Sequence, residues 1–161
     1  MKKIIILFIF LSNVVSANTM TTSSYKNITI GMSPSKALEI SKDYTADLQS
    51  DPDCYYLYSK TDDADAYFMV FEGKVERIDI EYKSANVSTE KGIGIGATKK
   101  QVLAAYPTVL VSPHPYLSSR GEYLEVKLAN GNGIIFETEQ DIVTSFRLGS
   151  YPAILYIEGC Y

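Results

Sequence analysis

His114 is the only histidine in the chain, and it stands in Ser112-Pro113-His114-Pro115-Tyr116. A histidine-based hydrolase needs a nucleophile and an orienting acid brought to the ring in space. No Gly-x-Ser-x-Gly elbow is present to supply the nucleophile, and the flanking prolines favour an extended loop. His114 therefore reads as a loop residue. Gly92-Ile93-Gly94-Ile95-Gly96-Ala97-Thr98-Lys99-Lys100 looks like a phosphate-binding loop. It lacks the Lys directly after the last Gly that a P-loop requires, and the G-x-G-x-x-G spacing of a dinucleotide fingerprint. Asp62, Asp63 and Asp65 fall short of a calcium loop, which needs more ligands in a fixed order, and read as a charged hairpin turn. These motifs nominate no catalytic residue, metal ligand or cofactor, and the expectation is a protein that is not an enzyme.

The chain has 13 Tyr and no Trp. Tyr55, Tyr56, Tyr58 and Tyr67 cluster on neighbouring predicted strands, with Tyr116 and Tyr123 in the second half. Tyrosine joins a large apolar area to a polar tip and is enriched at binding surfaces. It is also an ordinary strand residue. Strand alternation puts Arg77, Asp79 and Glu81 on the face opposite Ile78, Ile80 and Tyr82. The same rule adds Tyr123, Glu125, Lys127 and Arg147. These seven residues form the predicted contact face for another protein.

The first 17 residues read as a secretory signal, with Lys2 and Lys3, an apolar run from Ile4 to Leu11 and a Val15-Ser16-Ala17 cleavage site. Its removal would leave 13 basic against 19 acidic residues, taking the formal charge from −4 to −6. That balance disfavours nucleic acid and anionic lipid as partners. No later apolar stretch approaches the ~18 residues of a transmembrane helix, and no cysteine follows the cleavage site for lipid attachment. The expected location is the periplasm or the extracellular space. In such an oxidising compartment, Cys54 and Cys160, the only two cysteines, most simply form one disulfide.

These residues need a frame, and the chain offers one twice. Ile30-Gly31-Met32-Ser33-Pro34 returns as Ile95-Gly96-Ala97-Thr98-Lys99. Each copy opens a helix, with Ser33 or Thr98 as N-cap and Pro34 in the first turn. The first helix is predicted to run to about Lys42 or Tyr44, and the second to stop at Pro107. Strands are predicted at Cys54–Tyr58, Tyr67–Glu72 and Val75–Tyr82. The second half offers Glu122–Leu128, Ile134–Thr138 and Val143–Leu148, with a last strand over Ala153–Glu158. Residues 18–24 read as a loose polar leader. The predicted fold is α+β: two tandem helix-plus-three-strand repeats, residues 18–88 and 89–161, forming one antiparallel sheet in one domain. The helices pack on one face of that sheet, and its other face is partly solvated.

The paired Gly31 with Ser33, and Gly96 with Thr98, resemble the helix-entry motif of the SmpA/OmlA (BamE-like) envelope lipoproteins. They also resemble the tandem units of the beta-lactamase inhibitor protein family. The chain departs from the first group in lacking a lipidated cysteine, and from both in having one predicted helix per half. What the resemblance implies is an envelope protein that binds another protein across a sheet face, as an inhibitor, immunity protein or assembly adaptor. The alternative is a small-ligand or glycan-binding module, which would need a pocket lined with tyrosines.

Overall fold

In the computed structural model, residues 18–47, 51–61, 65–81, 84 and 86–160 are described. The predicted signal, Asp62, Asp63 and Tyr82 lie outside them. The chain opens with β1 (Thr19–Met20), β2 (Ser24–Tyr25) and β3 (Ile28–Thr29), then α1 (Pro34–Ile40), β4 (Tyr44–Ala46), β5 (Cys54–Ser59), β6 (Tyr67–Phe71) and β7 (Lys74–Ile80). β8 (Ser88–Thr89) and α2 (Lys99–Ala105) lead into β9 (Leu110–His114), β10 (Ser118–Lys127), β11 (Asn132–Glu139) and β12 (Ile142–Ser150). Eight strands form one sheet in the order β4-β5-β6-β7-β12-β11-β10-β9, antiparallel throughout. β7 and β12 pair at its centre, with Arg147 beside Asp79 and Leu148 beside Ile78.

The helix-plus-three-strand expectation does not hold. The protein is mostly β, with 47% of the described residues in strands and 13% helical, and four sheet strands follow each helix. The helices are seven residues long and bury one residue each, Ala37 and Val102. Tyr44, read as the end of the first helix, begins β4 and packs edge-on to Phe68 at 5.0 Å. The β-branched and aromatic content of 44–46 outweighs a short helix that buries so little, and 110–114, read as a Pro-containing loop around His114, is the strand β9.

The two helix entries themselves share one geometry. Gly31 and Gly96 both sit at φ +86°, where a side chain would be strained. The Gly31 N–H donates to Val75 O at 2.7 Å and Val75 N–H returns to Met32 O at 2.8 Å. Gly96 and Ala97 make the same pair with Val143, at 2.9 and 2.8 Å. Each turn is thereby pinned to a strand of the sheet, and Ser33 and Thr98 accept from the N–H three residues on.

Ile78, Ile80, Leu124, Val126, Phe146 and Leu148 are buried together on one face, as alternation requires. Residues 18–24 are not a loose leader. β1 pairs in parallel with β8, and Met20, Tyr25 and Ile28 are at most 1% exposed within the same core. The short helices leave this face uncovered, and the N-terminal strands complete the cover.

The opposite face departs further from expectation. Residues 153–158 do not form a strand. Ala153–Leu155 is a 3-10 turn packed on β7, β11 and β12, and the tail runs back over the polar face to a disulfide between Cys54 and Cys160. Met69, Ile135, Ala153 and Ile154 are buried there, outside the main core. Gly133 permits the close approach, since a Cβ at that position would lie 2.7 Å from Tyr151 Oη. The bridge spans 106 residues, and closing a loop of that length contributes about 4–5 kcal/mol in the chain-entropy account.

Candidate functional site

Polar residues pointing from central strands under an apolar tail must be paired, because an isolated buried charge costs several kcal/mol. Arg77 on β7 is 4% exposed. Its Nε holds Asp79 at 2.9 Å, Nη1 donates to Tyr156 O at 2.6 Å and Ala153 O at 3.3 Å, and Nη2 donates to Tyr56 Oη at 2.7 Å. One guanidinium thus joins β5, β7 and the tail. Arg147 on β12 is 5% exposed. Its Nε donates to Ile154 O at 2.8 Å and its Nη1 to Glu137. Its Nη2 is buried without a hydrogen-bond partner, and the guanidinium stands over the Tyr123 ring, 5.0 Å from its centre.

The tail covers this face only in part. Beside it lies a cleft of about 660 Å³ whose lining includes Tyr56, Tyr58, Tyr67, Ser145, Ile157 and Glu158, with Arg77, Asp79, Glu81, Glu137 and Arg147. The three tyrosine rings form a continuous wall: Tyr56 and Tyr58 are 5.7 Å apart, and Tyr58 and Tyr67 5.6 Å apart, edge to face. Tyr58 is 36% exposed. Burial raises the phenol of Tyr56, with Asp79 adding to it. Burial also raises Tyr58, reinforced by Asp47, Tyr67 and Glu81. Both hydroxyls therefore stay protonated, able to donate and accept, at neutral pH. Burial pushes the Asp79 carboxyl upward as well, against the opposing pull of Arg77.

Of the seven residues predicted for the contact face, Arg77, Asp79, Glu81 and Arg147 meet at the cleft. Tyr123 supports Arg147 from beneath. Glu125 and Lys127 lie farther along β10 beside Tyr151, whose hydroxyl donates to Glu125 at 2.7 Å and whose ring centre is 6.0 Å from Lys127 Nζ. The face is therefore not an open patch, since both arginines are committed beneath the tail. Among the clustered tyrosines, Tyr55 points into the core, while Tyr116 is 63% exposed near His114.

Sequence reasoning missed Glu137, Ile157 and Glu158. Glu137 shares the polar face with Ile135 on β11, and an apolar neighbour at that alternation position was the one sign of a cover. His114 belongs to the same network. Its Nδ1 accepts from the N–H groups of Tyr116 and Leu117 at 3.1 and 3.3 Å, and its Nε2 meets Glu137 Oε2 at 3.3 Å. Both ring nitrogens are engaged within the protein. Among the described residues no group of three or more His, Cys, Asp or Glu could hold a metal ion. No helix among them is long and apolar enough to cross a membrane.

An antiparallel sheet with its polar face strapped by a disulfide-bonded tail, and a tyrosine-walled cleft beside the strap, defines the class of structure. No family model and no curated protein matches the chain. Two of the solved structures that share the fold are similar over most of this chain. One is an extracellular protein containing a SCP domain from Bacillus anthracis, at TM-score 0.60 and 13% identity over 98% of this chain and 54% of that one. The other is the uncharacterized protein yfeY from Escherichia coli, at TM-score 0.54 and 9% identity over 82% of this chain and 99% of that one. The chain thus spans about half the length of the first. Neither is a member of the two groups that the helix-entry motif resembles, and at these identities the likeness is one of fold.

Proposed function

We propose that the chain is an exported binding protein that takes a hydroxyl-rich ligand of the glycan type in the tyrosine-walled cleft. The observation that carries this is the cleft itself: about 660 Å³ lined by Tyr56, Tyr58 and Tyr67 over a fixed Arg77–Asp79 pair. That volume lies within the range of small-ligand sites. Phenol rings offer apolar area to the C–H faces of a sugar, and a set of fixed donors and acceptors matches neighbouring hydroxyls. The disulfide and the predicted signal support export. Catalysis has no assigned group, and the reading is one of recognition. The test is a thermal-shift screen of the mature, oxidised protein against neutral oligosaccharides, with Tyr58→Ala as control. A ligand-dependent rise in Tm that disappears in Tyr58→Ala is expected. No shift across the panel, or a shift unchanged in Tyr58→Ala, contradicts the reading.

A second reading, recognition of another protein, is favoured by the β9 edge. Leu110 and Val111 are 54% and 44% exposed on an outermost strand, and Leu110 pairs in register with Glu125. Edge strands of this kind can accept a strand from a partner. Under this reading Leu110→Lys abolishes cross-linking to the partner while the cleft keeps its oligosaccharide response.

A further inference from the structure

The tail reaches the cleft between two anchors of different kinds. Upstream, Ala153 and Ile154 are buried. The Tyr156 carbonyl accepts from Arg77 Nη1 at 2.6 Å, and the Tyr156 ring packs edge-on to Phe71 at 5.7 Å. Downstream, Cys160 is bonded to Cys54 on β5. Ile157 and Glu158, which the tail contributes to the lining of the cleft, lie between these anchors. Cys54, Tyr56 and Tyr58 alternate along β5 and so share a face of the sheet. The covalent anchor therefore stands on the strand that carries two residues of the tyrosine wall.

Gly159 brings the tail and the wall together. Its φ is +76°, and a Cβ there would collide with Tyr56 Oη and come within 3.0 Å of Arg77 Nη2. The tail backbone thus lies directly on a wall hydroxyl and on the guanidinium of the floor, an approach that only glycine allows. With the bridge closed, residues 157–159 are held at both ends. With it open, they regain the backbone freedom that closure removed. The main core lies on the opposite face of the sheet and includes none of residues 153–160, so this segment can move while the sheet stays folded. Both cysteines are half-buried, which leaves the bridge within reach of a thiolate.

We infer that the Cys54–Cys160 bridge is a redox gate on the cleft. Closed, it keeps the tail in the lining and the cleft takes its ligand; opened by a dithiol reductant, it frees the tail and the ligand is released. The inference rests on the glycan-binding reading above. The step is thiol–disulfide exchange. A thiolate of the reductant attacks one sulfur of the bridge, forms a mixed disulfide and displaces the other cysteine as a thiolate. The second thiol of the reductant then resolves the mixed disulfide. Cys54 and Cys160 end as two thiols, having gained two electrons and two protons, and the dithiol ends as a disulfide.

The experiment measures binding of the β-1,4-linked N-acetylglucosamine tetramer by titration calorimetry, to the mature protein first oxidised and then reduced with dithiothreitol. Hydrogen exchange in β10 and β11 is followed in parallel, to show that the sheet stays folded. A tail that occupies its closed position about one-tenth of the time weakens apparent affinity about tenfold. The reduced protein is therefore expected to bind about tenfold more weakly, with exchange in β10 and β11 unchanged and full affinity restored on reoxidation. Cys54→Ser with Cys160→Ser should bind as weakly as the reduced protein and be indifferent to dithiothreitol. By linkage, saturating tetramer should make the bridge about tenfold harder to reduce at equilibrium. Equal or tighter binding by the reduced protein overturns the inference and leaves the glycan reading standing. Loss of protection throughout β10 and β11 on reduction also overturns it, since the bridge would then hold the whole sheet and not the tail. An oxidised protein that does not bind the tetramer overturns the reading and the inference together.

Discussion

Arg77 Nη1 donates to the carbonyl of Tyr156 at 2.6 Å, across 79 positions of sequence. The contact ties the central strand of the sheet to the tail that the disulfide anchors. Because the same guanidinium also holds Asp79 and Tyr56, it organises the floor and one wall of the cleft together. Arg77→Met leaves the Asp79 carboxylate and two tail carbonyls without their donor. A loss of about 3–5 kcal/mol is expected in urea unfolding at pH 7. The double change Arg77→Met with Asp79→Leu should cost less than Arg77→Met alone, since it removes the orphaned charge. A double variant less stable than the single would show that the pair itself is a net source of stability.

Opening the bridge tests the strap. Cys54→Ser with Cys160→Ser is expected to lower stability by roughly 2–5 kcal/mol and to raise hydrogen exchange in residues 153–158 more than in β10 and β11. Uniform exchange across the sheet would mean that the tail holds its place without the covalent tie.

The N-terminal strands give a third prediction. Met20→Ala empties a fully buried site and should cost about 2–5 kcal/mol. A change of under about 0.5 kcal/mol in the denaturation midpoint analysis, the range of ordinary surface substitutions, would return residues 18–24 to the status of a leader.

Alkaline pH supplies a fourth. Burial raises the phenols of Tyr25, Tyr44 and Tyr56 above the ordinary value of 10.0, with Asp65 adding to the first two and Asp79 to the third. A group whose folded value is raised contributes stability in full below its unfolded value and loses it as pH climbs toward the folded one. Stability should therefore be flat with respect to these groups up to about pH 9 and fall steeply above pH 10. Tyrosinate absorbance near 295 nm should gain a late step coincident with unfolding. Reversible ionisation of all tyrosines near pH 10 in the folded protein would contradict the buried placement.

How much of this the sequence carried depends on the kind of signal. Period-two alternation placed Ile78 and Ile80 in the core and Arg77 and Asp79 on the other face, because one face had to be dry. Gly31 and Gly96 were legible as helix-entry turns, since the Ser33 and Thr98 caps follow each at the same spacing. The cysteines were legible as a pair from their number. The short outer strands at 44–46 and 110–114 were not, as neither alternates over enough residues to stand out from a helix end or a Pro-containing loop. The return of the tail over the polar face was hidden too. Alternation says which side chains share a face, but Arg77 and Arg147 look solvent-bound until Ala153 and Ile154 are seen above them. Glu137 joins the cleft through the pairing of β11 with β12, and Glu158 only through that long-range return.

The central claim is that the tyrosine wall is where the ligand sits. Tyrosine rings labelled with 13C and followed by NMR during titration with the β-1,4-linked N-acetylglucosamine tetramer test it directly. The account predicts saturable shifts at Tyr56, Tyr58 and Tyr67, with Tyr25 and Tyr44 in the core unmoved. Shifts confined to Tyr116 and Tyr123, or no shifts at any tyrosine, would contradict it.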